Sequence, residues 1–306
     1  MAHIPVLFQE VIDFLQPREN GRYLDGTLGA GGHTTGILNA SAPTGRVLAF
    51  DRDSEAIAFA KNQLGDLAER VIFINSSYAN MAQVCEDKNF KNIDGILLDL
   101  GLSSRQLDTA ARGFSFMREG ALDMRFDTAQ GQTAAELINN LSESELAEIF
   151  WRYGEEKQSR KIAKLIVTHR PLFTTTELAE LIKSNSKQRS RIHPATKVFQ
   201  ALRIAVNDEL TAVSDGIHAA IDLLKPGGRL VVISFHSLED RIVKQIFRQM
   251  SRTYEEAPEL PNGRRPLQPK LQLITRKPIL PTAEEIIGNS RSRSAKLRVA
   301  ERVSYV

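Results

Sequence analysis

Short apolar segments alternate with helical patterns through the first hundred residues, and this alternation constrains the fold more than any other feature of the sequence. Strands of this length, separated by helical stretches, are typical of βαβ units, in which successive strands lie parallel in one sheet. The spacing predicts four strands, at Tyr23–Asp25, Arg46–Asp51, Val71–Asn75 and Ile93–Leu100. The predicted fold class is therefore α/β.

The strand pattern stops after the fourth segment and gives way to helical patterns. Residues 103–207 predict a loop followed by helices, without a convincing strand. The helix signals in this stretch are two capping boxes, Ser142 with Glu145 and Thr174 with Glu177, and a helix stop at Gly154. This part of the chain is therefore predicted to be a helical insert.

The C-terminal third completes the predicted sheet. A strand at Arg229–Ser234 follows a Pro-Gly-Gly turn, and an amphipathic helix begins near Leu238. A proline-rich loop then leads to two β-like segments, Leu271–Arg276 and Ala295–Arg302, predicted to pair antiparallel at the sheet edge. We predict a doubly wound core over residues 1–104 and 209–306, interrupted by a mainly helical insert at residues 105–208.

Length and composition agree with a globular protein of about two domains. Of the 306 residues, 42% are hydrophobic and 25% are charged, which excludes disorder or a coiled coil for the whole chain. No run reaches the roughly 18 apolar residues of a membrane span, and Glu10 and Asp13 interrupt what a signal peptide would keep apolar. The single cysteine, Cys85, excludes a disulfide and a cysteine-rich zinc site, and no metal is predicted. These features predict a cytoplasmic protein.

The basic charge is concentrated in two places. Residues 241–306 contain 14 Lys/Arg against 6 Asp/Glu, and residues 183–203 contain six Lys/Arg and no acid. Clusters of this kind suit a polyanion, because neutralised phosphates release their counterions. An ordinary solvated surface is the alternative.

A glycine-rich turn, DGTLGAGGHT at residues 25–34, follows the first predicted strand. A strand-turn-helix in this position forms the ligand crevice of an open α/β sheet, and its glycines are expected to let backbone amides approach a ligand. Asp51, at the end of the second strand, is positioned to accept hydrogen bonds from ribose hydroxyls. The pair indicates an adenosine-containing cofactor. The alternative is a plain tight turn, with Asp51 as the N-cap of the next helix.

The segment LLKPGGRLVVIS with its late hairpin resembles the class I S-adenosylmethionine-dependent methyltransferases, which have a Rossmann-like sheet with an antiparallel seventh strand. That resemblance implies S-adenosylmethionine as cofactor. It also implies that Asp25, Gly31, Gly32 and His33 face the methionine part, that Asp51 holds the ribose, and that Tyr78 contacts the adenine. A half-buried loop tyrosine is the alternative for Tyr78.

The fourth strand ends in LLDLGLSSRQLD, which puts Asp99 at the carboxyl edge of the sheet. Amino groups of nucleobases are weak nucleophiles, so a hydrogen-bond acceptor that localises the lone pair is most of what an enzyme must add. The Pro-Pro-aromatic sequence usual in nucleic-acid amino methyltransferases is absent after Asp99. Another aromatic would have to stack the base, and the candidates are Phe114, Phe116 and Phe235. Cys85 lies outside both motif loops, which argues against cytosine C5 chemistry.

Ten strings in register resemble the RsmH (MraW) family, among them HIPVLFQEV, DGTLGAGGHT, DGILLDLGLSSRQLD, HPATKVFQALRIAVNDEL and PGGRLVVISFHSLEDRIVK. The resemblance implies methylation of the N4 amino group of a cytosine in the decoding centre of small-subunit (16S) ribosomal RNA. It implies cofactor contacts at Gly31, Gly32, His33, Asp51, Tyr78, Asp99 and Gln106. Arg112, Asp123 and Arg125 either order a loop over the cofactor or pair with one another.

Candidate substrate residues follow the same resemblance and the basic insert. They are Arg189, Arg191, His193 and Lys197 in the insert, with Arg203 also expected to point outward, and Phe235 and Ser237 after the fifth strand. His236 is a candidate base, with helix capping as its alternative. A homodimer is among the predicted partners. Two other functions stay open: a methyltransferase for another amine, and a non-catalytic RNA-binding assembly factor.

Overall fold

The computed structural model describes residues 5–186, 193–261 and 263–304. Its contacts divide the chain into two compact units. The core unit comprises Met1–Gly101 with Leu210–Val306, and the insert unit comprises Leu102–Glu209. The insert unit therefore interrupts the core unit in sequence directly after the fourth strand.

A seven-stranded sheet forms the centre of the core unit. The strands of the chain are β1 (Arg22–Asp25), β2 (Arg46–Asp51), β3 (Val71–Asn75), β4 (Ile93–Asp99), β5 (Leu224–Ser234), β6 (Tyr254–Glu256), β7 (Arg264–Pro266), β8 (Leu271–Leu273) and β9 (Lys296–Arg302). The order in the sheet is β3-β2-β1-β4-β5-β9-β8, with β1 to β5 parallel and β9 antiparallel to both of its neighbours. This arrangement confirms the predicted class I methyltransferase sheet, including the antiparallel edge pair.

Helices connect the strands and make up most of the insert unit. They are α1 (Phe8–Leu15), α2 (Gly32–Ala40), α3 (Ser54–Leu64), α4 (Met81–Asp87), α5 (Ser104–Asp108), α6 (Ala134–Asn140), α7 (Glu143–Gly154), α8 (Ser159–Thr168), α9 (Thr175–Ser184), α10 (Thr196–Asn207), α11 (Glu209–Leu223), α12 (Ser237–Met250) and α13 (Ala283–Gly288). Among the helices in the described ranges, none is long and apolar enough to cross a membrane.

The sheet is buried on both faces, as expected for parallel strands covered by helices. Successive residues of each strand point to opposite faces, so Leu24, Ile96 and Val232 join one apolar cluster while their neighbours Tyr23 and Leu97 join the other. Full burial of each such side chain contributes about 1.5–3 kcal/mol. The strands therefore read as continuous apolar runs, which made them predictable.

The helix boundaries follow local chemistry. The predicted capping boxes at Ser142 and Thr174 are confirmed, since each side chain accepts from the backbone of a glutamate three residues later. Gly154 ends α7 as predicted, but the left-handed residue is Glu155. Gly154 is required for packing, because a Cβ there would lie 2.6 Å from the carbonyl oxygen of Lys197 on α10.

Three features of the core unit differ from the sequence prediction. Helix α1 precedes the first strand, and the β6–β7 hairpin lies partly within the stretch predicted as a loop. Strand β5 begins at Leu224, and its pairing with β4 is irregular through the Pro-Gly-Gly turn, where Gly227 has φ +77. Short hairpins and irregular strand starts carry little periodicity, so pattern alone misses them.

The insert unit has its own apolar core, to which Phe150, Leu178 and Leu202 contribute. The prediction that Arg203 points outward is wrong. Its guanidinium makes a two-pronged ion pair with Glu209, at 2.7 and 2.8 Å. The carboxylate partner lies six residues away, across the start of the next helix, so a helical-face argument for α10 alone could not detect it.

Candidate active site

The carboxyl ends of three parallel strands bring three carboxylates to one edge of the core sheet. Asp25 ends β1, Asp51 ends β2 and Asp99 ends β4. The register aligns them, because Gly26 N donates to Leu97 O at 2.9 Å beside the end of β4. Ligands of open α/β sheets bind outside this edge, where the strand order reverses. In this sheet the reversal falls between β1 and β4.

The glycines of the turn serve packing within the protein. A Cβ on Gly26 would lie 2.4 Å from Leu98, and one on Gly32 would lie 2.4 Å from Pro5. Gly31 has φ +83, which favours glycine, and its Cβ position faces Ala60. At these three positions the missing side chains make room for neighbouring protein atoms. That the turn also lets backbone amides approach a ligand stays a prediction.

Asp25 holds the turn together from inside the protein. It is 1% exposed and accepts from the Thr34 hydroxyl at 2.6 Å and from the Thr27 amide at 3.0 Å. Burial raises the pKa of Asp25, while these hydrogen bonds oppose the rise. The Thr27 hydroxyl also accepts from the Asp99 amide at 2.7 Å, so it links the ends of β1 and β4.

Asp51 is partly buried, and both of its carboxylate oxygens accept from backbone amides. Gly29 N donates to Oδ2 and Asp53 N donates to Oδ1, each at 2.9 Å. Desolvation raises the pKa of Asp51 to about 6. The N-cap of α3 is Asp53, which accepts from Glu55 N, so the alternative reading of Asp51 as that cap is wrong. Asp51 joins the glycine turn to the end of β2, and each oxygen keeps a lone pair for a ligand hydroxyl.

Asp99 and His33 lie against each other at the centre of this edge. His33 Nε2 is 3.5 Å from Asp99 Oδ2, and the imidazole is stacked on Phe8 with ring centroids 6.1 Å apart. Within the described residues, Asp99 Oδ1 and both ring nitrogens of His33 are buried and have no hydrogen-bond partner. Unsatisfied buried polar atoms are rare in folded proteins, so a cluster of them indicates a place where a polar ligand completes the bonding.

Tyr78 lies beside the turn but is held by protein contacts. It begins a 3-10 turn whose N-cap is Ser77. Cβ atoms on Gly26 and Gly216 would lie 3.0 and 2.5 Å from the Tyr78 side chain. Two glycines therefore make room for this side chain, and its ring packs partly buried against the core.

A sequence profile of the MraW methylase family matches residues 1–303. The chain belongs to the MraW methylase family. It is similar to a ribosomal RNA small subunit methyltransferase H of Thermomicrobium roseum, with 50% identity over 99% of this chain and 94% of the relative. It is also similar to the protein of that name from Geotalea uraniireducens, with 49% identity over 98% of both chains.

Among solved structures, the chain is similar to an rRNA methylase from Streptococcus thermophilus. The sequence identity is 12% and the TM-score is 0.46, with 99% of this chain and 100% of that chain covered.

Two residues that follow β5 in this MraW-family chain have different surroundings: His236 caps a helix, and the ring of Phe235 lies at the edge that holds Asp99. His236 is the N-cap of α12: its Nδ1 accepts from Glu239 N at 3.4 Å, and its Nε2 lies 3.1 Å from Glu239 Oε1. Nδ1 therefore caps the helix, as in the capping alternative, whereas Nε2 is buried and has no hydrogen-bond partner within the described residues. Phe235 is partly exposed and lies against Gly101, whose Cβ position is 3.3 Å from the ring. Ser237 is exposed.

The predicted site residues of the insert unit are engaged locally. Gln106 forms a capping box with Ser103 at the start of α5. His193 Nδ1 accepts from Ala195 N at 3.2 Å, its ring lies 4.6 Å from that of Phe116, and Lys197 Nζ donates to the Glu155 carbonyl at 3.0 Å. Arg189 and Arg191 lie outside the described residues.

The other motif of the insert unit pairs internally. Arg125 makes a two-pronged ion pair with Asp123, with both bonds at 2.8 Å, and Arg112 donates to the carbonyls of Arg125 and Phe126. The alternative that these residues pair with one another is therefore observed. Phe114 is buried and stacks on Phe126, so it packs in the core of the insert unit.

Three residues of the edge were missed by sequence reasoning. Thr27 and Thr34 tie Asp25 to the turn, and Phe8 stacks on His33. Both threonines lie inside the glycine-rich string and could have been chosen as hydroxyl donors to a buried carboxylate. Phe8 comes from a helix 25 positions upstream, and no local pattern links it to His33.

Proposed function

We propose that this chain transfers a methyl group from S-adenosylmethionine to the N4 amino group of a cytosine in the decoding centre of 16S ribosomal RNA. The observation that carries the proposal is Asp99, whose buried Oδ1 has no hydrogen-bond partner within the described residues. It lies at the carboxyl edge of the sheet in a chain of the MraW methylase family. The relatives named above act on small-subunit ribosomal RNA by name.

The residues at the edge fit S-adenosylmethionine. Asp51 keeps acceptor capacity for ribose hydroxyls, and His33 carries two buried ring nitrogens that lack partners within the described residues. In this proposal Asp25, Gly31 and Gly32 shape the turn beside the methionine part, and Tyr78 and Gln106 complete the contacts. When bound, the cofactor supplies a methyl group on a positively charged sulfur.

Asp99 acts on the acceptor amine. Its Oδ1 accepts a hydrogen bond from the N4 amino group, which localises the nitrogen lone pair and aligns it for in-line attack. The same carboxylate takes up the proton that the amine loses when the new bond forms. A positioned acceptor of this kind contributes typically 10²–10⁴-fold in rate. Asp99 is therefore the proposed catalytic residue.

His33 orients that carboxylate in the proposal. Its ring is held by the stack on Phe8 and lies 3.5 Å from Oδ2, so Oδ1 is the oxygen left for the substrate. His236 receives a capping role in the proposal, because its Nδ1 accepts from Glu239 N at the start of α12.

Phe235 is the proposed stacking aromatic for the target base. It lies against Gly101, two residues after Asp99, and is partly exposed, whereas Phe114 is buried. Ser237, two residues after Phe235 and the first residue of α12, is exposed and can donate to the nucleotide. Stacking on an aromatic ring is worth about 1–3 kcal/mol per base.

The insert unit is proposed to contact the RNA backbone. The proposed residues are Arg189, Arg191, His193 and Lys197, and they would position the substrate without reading its sequence. Because the substrate is ribosomal, a cytoplasmic location belongs to the same proposal.

A methyl-transfer assay tests the proposed function. Purified small subunits lacking the modification are incubated with the protein and labelled cofactor, and the RNA is digested to nucleosides for mass spectrometry. We expect labelled N4-methylcytidine. Label in protein would support an amine of another class, and tight subunit binding with no transfer would support an assembly factor. Light scattering on the same sample tests the homodimer prediction.

A further inference from the structure

The direction of the strands divides the basic C-terminal segment between the two ends of the parallel strands. The end that holds Asp99 is here called the site edge, and the opposite end is called the far edge. Ser234, at the end of β5, lies opposite Lys296, at the start of β9, so β9 begins at the edge that holds Asp99. Strand β8 enters opposite Arg302 and ends near Ala300. The chain directly before β8 therefore lies at the far edge, and the chain directly after β8 lies at the edge of the candidate site.

The β6–β7 hairpin belongs to the far edge, and its charges are neutralised internally. Arg265 pairs with Glu255 at 2.8 Å and with Glu259 at 2.6 Å. The guanidinium of Arg264 lies 4.4 Å from the centre of the Tyr254 ring. The hairpin thus adds to the number of Lys and Arg residues in the C-terminal segment, but most of its charge is already paired and little is left for a partner.

The β8–β9 connection, residues 274–295, lies at the site edge. Ile279 and Leu297 exchange backbone hydrogen bonds of 2.9 Å each, which holds the connection against the start of β9. Glu285 Oε1 accepts from the Leu7 amide at 2.8 Å. The connection is therefore fixed both to the last strand and to the N-terminal segment.

That N-terminal segment also contacts the glycine turn. Pro5 fills the space beside Gly32, and Phe8 stacks on His33. Leu7 lies between these two contacts, so its bond to Glu285 brings the β8–β9 connection beside the proposed cofactor residues.

Three exposed cations of the connection have no charged partner among the residues that the structure describes. Arg276, Lys277 and Arg293, here the edge cations, are exposed and make no hydrogen bond or ion pair within the described part of the chain. The acids of the connection, Glu284 and Glu285, lie in the first turn of α13, where they favour the helix N-terminus. The acids are thus used locally while the edge cations face solvent.

We propose that the edge cations form an RNA-phosphate contact surface on the core unit, in addition to the insert. This inference rests on the proposed function, since it assumes a ribosomal RNA substrate at this edge. Exposed, unpaired Arg and Lys side chains suit phosphate groups, which they bind with release of counterions. Such contacts position the backbone so that the target base reaches Asp99.

Charge reversal with a matched control tests the surface. The edge variant carries Arg276→Glu, Lys277→Glu and Arg293→Glu. The control carries Lys244→Glu, Arg248→Glu and Arg252→Glu, three exposed cations on α12 and just after it that are equally unpaired in the described residues. Both variants change the net charge by the same amount. Binding is measured against purified small subunits and against single-stranded poly(U) over a series of salt concentrations.

We expect the edge variant to bind both ligands at least about tenfold more weakly and its salt slope to fall by about two, since each lost phosphate contact removes about 0.7 from the slope on single strands. The control should change affinity less than about twofold, and cofactor affinity should be unchanged in both. A glutamine version of the edge variant should give a smaller loss in the same direction.

Equal losses in the edge and control variants would overturn the inference, because net charge alone would then explain them. Loss with subunits but not with poly(U) would also overturn it, in favour of a protein partner. The methyl-transfer assay on the protein without substitutions distinguishes failure of the proposed function from failure of the proposed contact surface. If that protein methylates subunits while the edge variant binds normally, only the surface is refuted.

Discussion

The three carboxylates at the edge of the sheet differ in what surrounds them. Asp25 is enclosed by hydroxyl and amide donors, Asp51 by two backbone amides, and Asp99 has one oxygen against His33 and one without a partner in the described residues. One residue type therefore has three different environments at a single edge, and the proposed function gives each a different role: Asp25 shapes the turn, Asp51 holds the cofactor and Asp99 acts on the substrate.

Asp99 gives the most direct prediction at the residue scale. Asp99→Ala should lower turnover by about 10²–10⁴-fold, because the amine loses its acceptor. Asp99→Asn keeps a carbonyl acceptor without the charge, so partial activity would indicate a positioning role and full loss a need for the carboxylate. Single-turnover methyl transfer measures both, with thermal unfolding as the control for folding. Normal turnover in both variants would remove Asp99 from the mechanism.

Asp51 predicts a dependence of cofactor binding on pH. With a pKa of about 6, Asp51 is mostly protonated at pH 5.5 and ionised at pH 7.5, and the ionised form is the better acceptor for hydroxyls. Affinity for S-adenosylmethionine should therefore be about fourfold weaker at pH 5.5, from the ionised fractions alone. Isothermal calorimetry at the two pH values measures this change.

Asp51→Asn is the control for that dependence, and it should bind the cofactor more weakly by about 1.5–3 kcal/mol at pH 7.5, with a flat pH profile. The pH dependence of stability has the opposite sign to the pH dependence of cofactor affinity. Because the folded-state pKa lies above the ordinary value of 3.8, the folded protein binds more protons, and the free energy of unfolding falls as pH rises from 3.8 to about 6. Unchanged affinity in the variant would refute the ribose assignment.

At the scale of single elements, the start of α12 gives a prediction that distinguishes a helix-capping role of His236 from a role as a general base. His236→Ala should lower the free energy of unfolding by about 1 kcal/mol, because the first turn of the helix loses its side-chain acceptor. His236→Asn, which keeps an acceptor, should recover most of that stability and most of the turnover. Chemical denaturation and methyl transfer are measured on the same samples. A stable but inactive Asn variant would instead support His236 as a base.

Packing of α7 against α10 gives a second prediction for an element. Gly154→Ala should destabilise the protein by about 1–3 kcal/mol, since the new methyl group would lie 2.6 Å from the Lys197 carbonyl and force the helices apart. Gly288→Ala is the matched control, because nothing lies within 4 Å of its Cβ position and its φ is not positive. Equal stability of the two variants would contradict this account of Gly154.

For the whole molecule, substrate binding is expected to draw on both units. Arg189→Glu with Arg191→Glu should weaken binding to small subunits and lower the salt slope, with cofactor affinity unchanged. Those two residues lie outside the described ranges, so this prediction stands on the sequence. Combined with the edge variant, the losses should add, because each phosphate contact contributes its own counterion release to the salt slope. An unaltered salt slope would make the insert cluster ordinary surface.

The sequence by itself determined the sheet and its class. Strands buried on both faces appear as continuous apolar runs, and glycines and acids at their ends mark the edge where ligands bind. Local signals also fixed several helix starts, since a capping box is complete within four residues. The edge carboxylates and the two basic clusters could also be predicted, because each is a local feature of the sequence.

Only the tertiary structure decided which side chains meet. Phe8 and His33, Arg203 and Glu209, and the β8–β9 connection beside Leu7 are joined across positions that no periodicity relates. The order and direction of the strands also place residues 274–295 at the site edge and the chain directly before β8 at the far edge, although both stretches are basic in composition. Composition depends only on which residues are present, whereas function at an edge depends on strand direction and order, and these are set by long-range pairing.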